Sequence, residues 1–121
     1  MKLENVKEKR VFITLDRERE IRFNLGAAAT YEETFKEDFF SAIDRLQQGK
    51  SLPFVRNLLY VGLKAEDKTL TIEQVEKLVP LRKFIEVKNK IIEALNVSLT
   101  APEDAIETNM VGSLGPAGKK S

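Results

Sequence analysis

Hydrophobic positions are unevenly spread along this chain, and their densest run is Leu52–Leu63, LPFVRNLLYVGL. Read as a helix, it sets Leu52, Val55, Leu59 and Gly62 on one side and Phe54, Leu58 and Val61 on another. Arg56 and Asn57 are left as its polar edge. A helix apolar around most of its circumference is expected inside a fold. Ser51 is placed to cap it, and Pro53 suits a first-turn position, where a missing N–H costs little.

Upstream the period is alternating. Val11–Leu15, VFITL, puts Val11, Ile13 and Leu15 on one face and Phe12 and Thr14 on the other. Ile21–Leu25, IRFNL, sets Ile21, Phe23 and Leu25 in phase. β-Branched and aromatic residues in alternation predict strands. Asp16–Glu20, DRERE, reads as the charged turn between them, which predicts a β-hairpin over 11–25. A lone hairpin is marginal in water. Its apolar face must pack on helices, or its edge must pair with another strand, another subunit's included.

The rest is helical in period. Gly26 breaks the alternation, and Thr30 with Glu33 has capping-box spacing, although Ala27–Ala29 also fit a helix. This predicts a short helix over about 27–37 carrying Tyr31 and Phe35 one turn apart. Asp38 is placed to cap a segment over 39–48 with Phe39, Ala42, Ile43 and Leu46 on one face, stopped by Gly49. The pattern leaves open whether these are two helices or one bent helix. The central helix is expected over 52–63, followed by the charged loop Lys64–Lys68. Thr71 and Gln74 form a second capping box opening a helix over 72–78, which Pro80 ends. Over 82–96, Phe84, Val87, Ile91 and Leu95 fall in line, and Ile85 and Ile92 widen the stripe to about half the circumference. Lys88 lands inside that stripe, as a snorkelling stem or as an ion pair across a subunit contact.

Residues 1–10 read as a polar lead-in, and 100–121, rich in small residues, Gly and Pro, as a flexible tail. The predicted fold class is therefore α+β, mainly α. A single globular domain over 11–99 carries an N-terminal β-hairpin and a bundle of four to five short helices, with the tail beyond it.

Composition narrows the function classes. Twenty Lys and Arg oppose nineteen Asp and Glu, a net charge of +1, so no general attraction to nucleic acid or acidic membranes is expected. No apolar run approaches the roughly 18 residues of a membrane span, and MKLENVKEKR has no signal-peptide core. The chain has no Cys and no His. That excludes disulfides, thiolate and imidazole metal sites, and nucleophile–His catalysis. Carboxylates, Lys or Tyr would have to carry any chemistry. No enzyme, cofactor or metal is expected.

The remaining clusters have ordinary readings beside sharper ones. Glu32, Glu33, Glu37 and Asp38 gather acid, with Glu33 and Glu37 one helical turn apart. They suit a hard cation or a shared proton, or else a solvated helix face. Lys7, Lys9 and Arg10 form one basic group and Arg82, Lys83, Lys88 and Lys90 another, but acids interleave both. Nucleic-acid binding is thus the lesser alternative to a solvated surface. Adjacent Phe39 and Phe40 diverge by about 100° on a helix and cannot easily enter one core. The broad stripe of the last helix also exceeds what one neighbour covers. Phe39, Phe40, Phe84, Ile85, Ile91, Ile92 and Leu95 are the candidate partner or self-association surface.

The order of these pieces carries a resemblance. VFITLDREREIRFNL, then AAATYEET, then LLYVGLKAEDKTLTIEQVEKLV, then a long amphipathic helix, resembles the tail assembly chaperones of long-tailed bacteriophages, especially those of Gram-positive hosts. It covers about residues 10–99, with Leu58–Leu78 the most telling piece. The chain departs in its turn, where Asp16-Arg17-Glu18 stands in place of an Asp-Gly type turn.

The resemblance implies a non-enzymatic protein of the host cell cytoplasm, absent from the mature virion. Its implied partners are the tape measure protein, whose hydrophobic helices it keeps from aggregating, and the tail tube protein, which it helps recruit. A longer form of the chain made by programmed frameshifting is implied too, and Gly118-Lys119-Lys120 is compatible with a lysine-codon slippery site. Homo-oligomers are expected because excess apolar helix surface can be buried in symmetric contacts. The alternative function is a small nucleic-acid-binding or regulatory domain.

Overall fold

The computed structural model describes residues 9–49 and 52–100. The expected cap Ser51, the lead-in and the tail beyond residue 100 lie outside the described residues. The chain is mainly helical, with an N-terminal antiparallel hairpin of β1 (Val11–Thr14) and β2 (Glu18–Ile21). Among the described residues five helices follow: α1 (Leu25–Phe35), α2 (Phe39–Gln47), α3 (Leu52–Lys64), α4 (Ile72–Leu78) and α5 (Phe84–Leu99). A 3-10 turn, Leu81–Lys83, leads into α5. The compact unit is Arg10–Leu95; Lys9 and residues 96–100, where α5 ends, lie outside it.

The centre of the compact unit is α3, which packs against α1, α2, α4 and β2. Leu58, Leu59, Val61 and Leu63 on it are almost wholly buried, as the apolar run demands. The expected polar edge is only half present. Asn57 is buried and accepts from Arg56 Nε at 3.0 Å, while Arg56 reaches outward to Glu76.

The hairpin differs from its prediction at the turn. Strand pairing is Val11 with Ile21, Phe12 with Glu20, Ile13 with Arg19 and Thr14 with Glu18, so most of DRERE belongs to β2. Arg19 is only 6% exposed and Glu20 is buried as well. Buried charge is tolerated only when paired, and both side chains are. Arg19 donates to both Asp16 oxygens, at 2.8 and 3.0 Å, and to Asp67 at 3.4 Å. Glu20 accepts from Arg10 Nε and a terminal guanidinium nitrogen at 3.1 and 3.0 Å. Ile21 and Phe23 keep the predicted phase and are buried, but Leu25 is 85% exposed because it already opens α1.

That helix begins two residues before the expected start. The cap is Asn24, whose side chain accepts from Ala27 N at 2.9 Å, and Thr30 lies inside the helix instead of opening it. Two helices, not one bent helix, span 25–47. Lys36 adopts a left-handed conformation, φ 57° and ψ 41°, which ends α1, and Asp38 then caps α2 by accepting from Ser41 N at 2.9 Å. Glu32 closes the corner by accepting the Phe39 N–H at 2.9 Å. The Thr71–Gln74 capping box has both halves, and the chain leaves α4 at Val79 before Pro80.

Candidate interaction surface

The residues expected to form a partner surface do not lie together. Phe39 is core: its ring meets Phe23 at 6.1 Å, Tyr31 at 5.8 Å and Phe40 at 5.6 Å between centroids. Ile91 and Leu95 are core too, part of the buried stripe of α5 with Val87 and Ala94. These three are corrections to the expected surface. The divergence of adjacent side chains leaves Phe40 58% exposed, and Ile85 is 63% exposed at the edge of the α5 stripe. Phe84 and Ile92 are half-buried.

Of the seven, Phe84 alone lines the apolar groove that the fold builds where α3, α4 and the start of α5 meet. Leu52, Val55 and Leu59 of α3 line it, with Val75 of α4 and Val79 just beyond that helix. Leu81, Phe84 and Val87 complete its apolar lining. The groove holds about 170 Å³ and is open to solvent. Its charged lining residues, Arg56 and Glu76, neutralise each other at 3.0 Å. At the rim Leu52 is 61% and Leu81 78% exposed, and Ile85 stands one helical turn beyond Leu81.

The sequence reading missed Leu52 and Leu81 as surface residues. The α3 wheel puts Leu52 on a buried face, but as the first residue of the helix it lacks a neighbour to cover it; Leu81 lies outside the helical periods, where a wheel assigns no face. The signal available was Pro80: it turns the chain just before Leu81, so Leu81 cannot continue the α4 stripe.

The acidic cluster is taken up by structure. Glu37 lies beyond the end of α1, so it does not sit one helical turn from Glu33. Its oxygens accept from the buried Tyr31 hydroxyl at 2.9 Å and from Arg45 at 2.6 Å. Burial first, and the Glu37 carboxylate second, push the Tyr31 phenol well above its ordinary range. Glu32 and Asp38 hold backbone N–H groups. Among the described residues no group of three or more His, Cys, Asp or Glu could hold a metal ion.

The basic residues are likewise interleaved with partners. Arg10 pairs with Glu20, Lys83 donates to the Thr14 carbonyl at 2.6 Å, and Lys90 lies 3.8 Å from Glu93. A second, more polar hollow of about 470 Å³ lies between α1 and the end of α3, beside Asn24, Thr30, Lys64 and Lys68. Lys64 there is structural, donating to the carbonyls of Lys68 at 2.8 Å and Leu70 at 3.4 Å. Among the described residues no helix is long and apolar enough to cross a membrane. Compared with known proteins, the chain matches no family model, no curated protein and no solved structure.

Proposed function

We propose that this protein is a non-enzymatic assembly chaperone of the phage tail type. In this reading it holds hydrophobic helices of a tape measure protein and helps recruit tail tube subunits around them. The carrying observation is the open apolar groove between α3, α4 and α5, with its lining residues Leu52 and Leu81 largely exposed. An amphipathic client helix presents aliphatic side chains at i, i+3 or i+4 and i+7, the spacing a groove of this kind accepts. Covering one large aliphatic side chain is worth about 1.5–3 kcal/mol. Three such contacts exceed the low end of the association cost without producing permanent attachment. Reversible capture is what a holdase needs, since the client must later be released into the tail. The resemblance of residues 10–99 to the chaperone family supports the same reading and extends it to the longer frameshifted form, self-association and the host cytoplasm.

The test is co-expression with a long-tailed phage tape measure protein, the client this reading names. Capture that survives high salt supports the proposal. Binding to duplex or single-stranded nucleic acid with a steep salt dependence, and no capture of the helical protein, would replace it with the nucleic-acid alternative.

A further inference from the structure

The two outer edges of the hairpin meet different surroundings. Glu20 and Arg22 turn their N–H groups away from β1, to Glu66 Oε1 at 3.3 Å and to the Gly62 carbonyl at 3.0 Å. The outer edge of β2 is therefore closed by α3 and the loop after it. In the observed register Arg19 and Ile21 face Ile13 and Val11, so Phe12 and Thr14 direct their backbone groups outward from β1. The Thr14 carbonyl takes the Lys83 ammonium. Among the described residues the Phe12 N–H and C=O have no hydrogen-bond partner.

We infer that this open edge of β1 pairs with β1 of a second copy of the chain, antiparallel about a two-fold axis, with Arg10 of each copy opposite Phe12 of the other. An open strand edge is completed by another strand. Lys83 occupies the Thr14 end, so the free run is Arg10–Phe12 and the register centres on Val11. That pairing exchanges four backbone hydrogen bonds, two for each Arg10–Phe12 pair.

Charge selects the second copy over an arbitrary strand. Phe12 sits opposite Glu20 within each hairpin. The row across the joined sheet then runs Glu20, Phe12 and, from the other copy, Arg10, and the symmetric row repeats it. Each Arg10, held by Glu20 of its own copy, then faces the Phe12 ring of the other, so two Arg10–Glu20 pairs meet across the axis with their signs alternating. The Arg10 guanidinium already lies over its own Phe12 ring, 5.1 Å from the centroid, so the side chain is on the required face. Val11 and Ile13 face the core on the opposite side and keep their packing. The contact is far below the roughly 1,200 Å² of a stable interface, so it exchanges quickly and fills at high concentration. It uses the hairpin edge and not the groove, so it stands or falls apart from client binding.

The test is sedimentation equilibrium with residue-resolved amide exchange on the full chain, from about 10 μM to about 1 mM, the range in which weak pairs fill. The expected result is a mass that climbs towards the dimer while exchange at the Phe12 amide slows in proportion to the dimer fraction. Phe12→Pro removes an outward N–H without touching the ladder and should stay monomeric throughout. If that variant fails to fold, the exchange measurement on the unaltered chain decides alone. A monomer across the whole range overturns the inference, and so does a dimer in which the Phe12 amide exchanges at its monomer rate.

Discussion

Ile21 Cγ2 lies 2.9 Å from the point where a Cβ on Gly62 would stand, and Phe23 Cζ lies 3.0 Å from it. The hairpin exit and α3 touch there at backbone distance, and Arg22 N–H seals the contact by donating to the Gly62 carbonyl at 3.0 Å. That carbonyl is among the last four of the helix, which have no partner within it. A glycine in the last turns of α3 is thus what lets a sheet edge serve as its cap.

The first prediction is that Gly62→Ala destabilises the fold. Alanine gains about 1 kcal/mol of helix propensity. The new methyl, however, meets a β-branched side chain and a ring that are both buried, so neither can simply swing aside. Overpacking of this kind costs about 1–3 kcal/mol, and the net expected loss is about 1 kcal/mol. Urea unfolding measures it; an unchanged or raised midpoint refutes the packing account.

The charged network makes acid a second probe. The hydrogen bond from Arg19 holds the Asp16 carboxyl down at about 2. The Thr69 hydroxyl, and behind it Arg19, lower Asp67, while the Arg10 guanidinium lowers Glu20. A carboxylate whose folded pKa lies below its unfolded value contributes fully above the unfolded value, and that contribution is lost as pH falls. Stability should therefore decline from about pH 4 down to about pH 2. Arg19→Met should return Asp16 to the ordinary carboxylate range and lower the urea midpoint at pH 7, with a smaller difference at pH 2. Carboxyl NMR titration and urea melts at both pH values check the two halves separately.

Tyr31 gives the alkaline counterpart. Its hydroxyl is fully buried and donates to Glu37, and burial raises its pKa. An acid whose pKa is raised by folding stays protonated in the native state, so stability falls as pH rises above its unfolded value near 10. Absorbance titration should show Tyr31 ionising only as the chain unfolds. Tyr31→Phe should remove that alkaline decline and cost about 1 kcal/mol at pH 7, the usual net value of one hydrogen bond.

How far the sequence carried these features depends on the range over which each is decided. The Thr71–Gln74 box, the Asp38 cap and the central place of α3 are settled within a few residues, and the pattern showed them. Arg19 and Glu20 look solvated in sequence because the partners that let them be buried come from elsewhere: Arg10 across the hairpin holds the Glu20 carboxylate, and Asp67, 48 positions away, joins Asp16 on Arg19. Thr30 lost to Asn24 because the buried Ala27 and Tyr31 draw the helix start back towards the hairpin. For the candidate surface, helical period told which α5 residues are apolar but not which of them a neighbour covers. Ile91 and Leu95 went inward, and Leu81, outside any period, came to stand at the groove's rim.

The groove supplies the last prediction. Leu81 is 78% exposed, so Leu81→Asp removes little from the native core and should leave stability within about 0.5 kcal/mol. If the groove takes a client helix, the same change puts a carboxylate against apolar side chains that bury it. One lost aliphatic contact with a desolvated charge in its place costs about 2–4 kcal/mol, so capture of the helical client should fall by about 30-fold or more. Phe40→Asp is the matched control, because Phe40 is exposed on α2 and does not line the groove. It should leave capture unchanged. Pull-down titrations with both variants, each with its melting curve, separate the surfaces. Loss of capture with Phe40→Asp and none with Leu81→Asp would move the client site to α2.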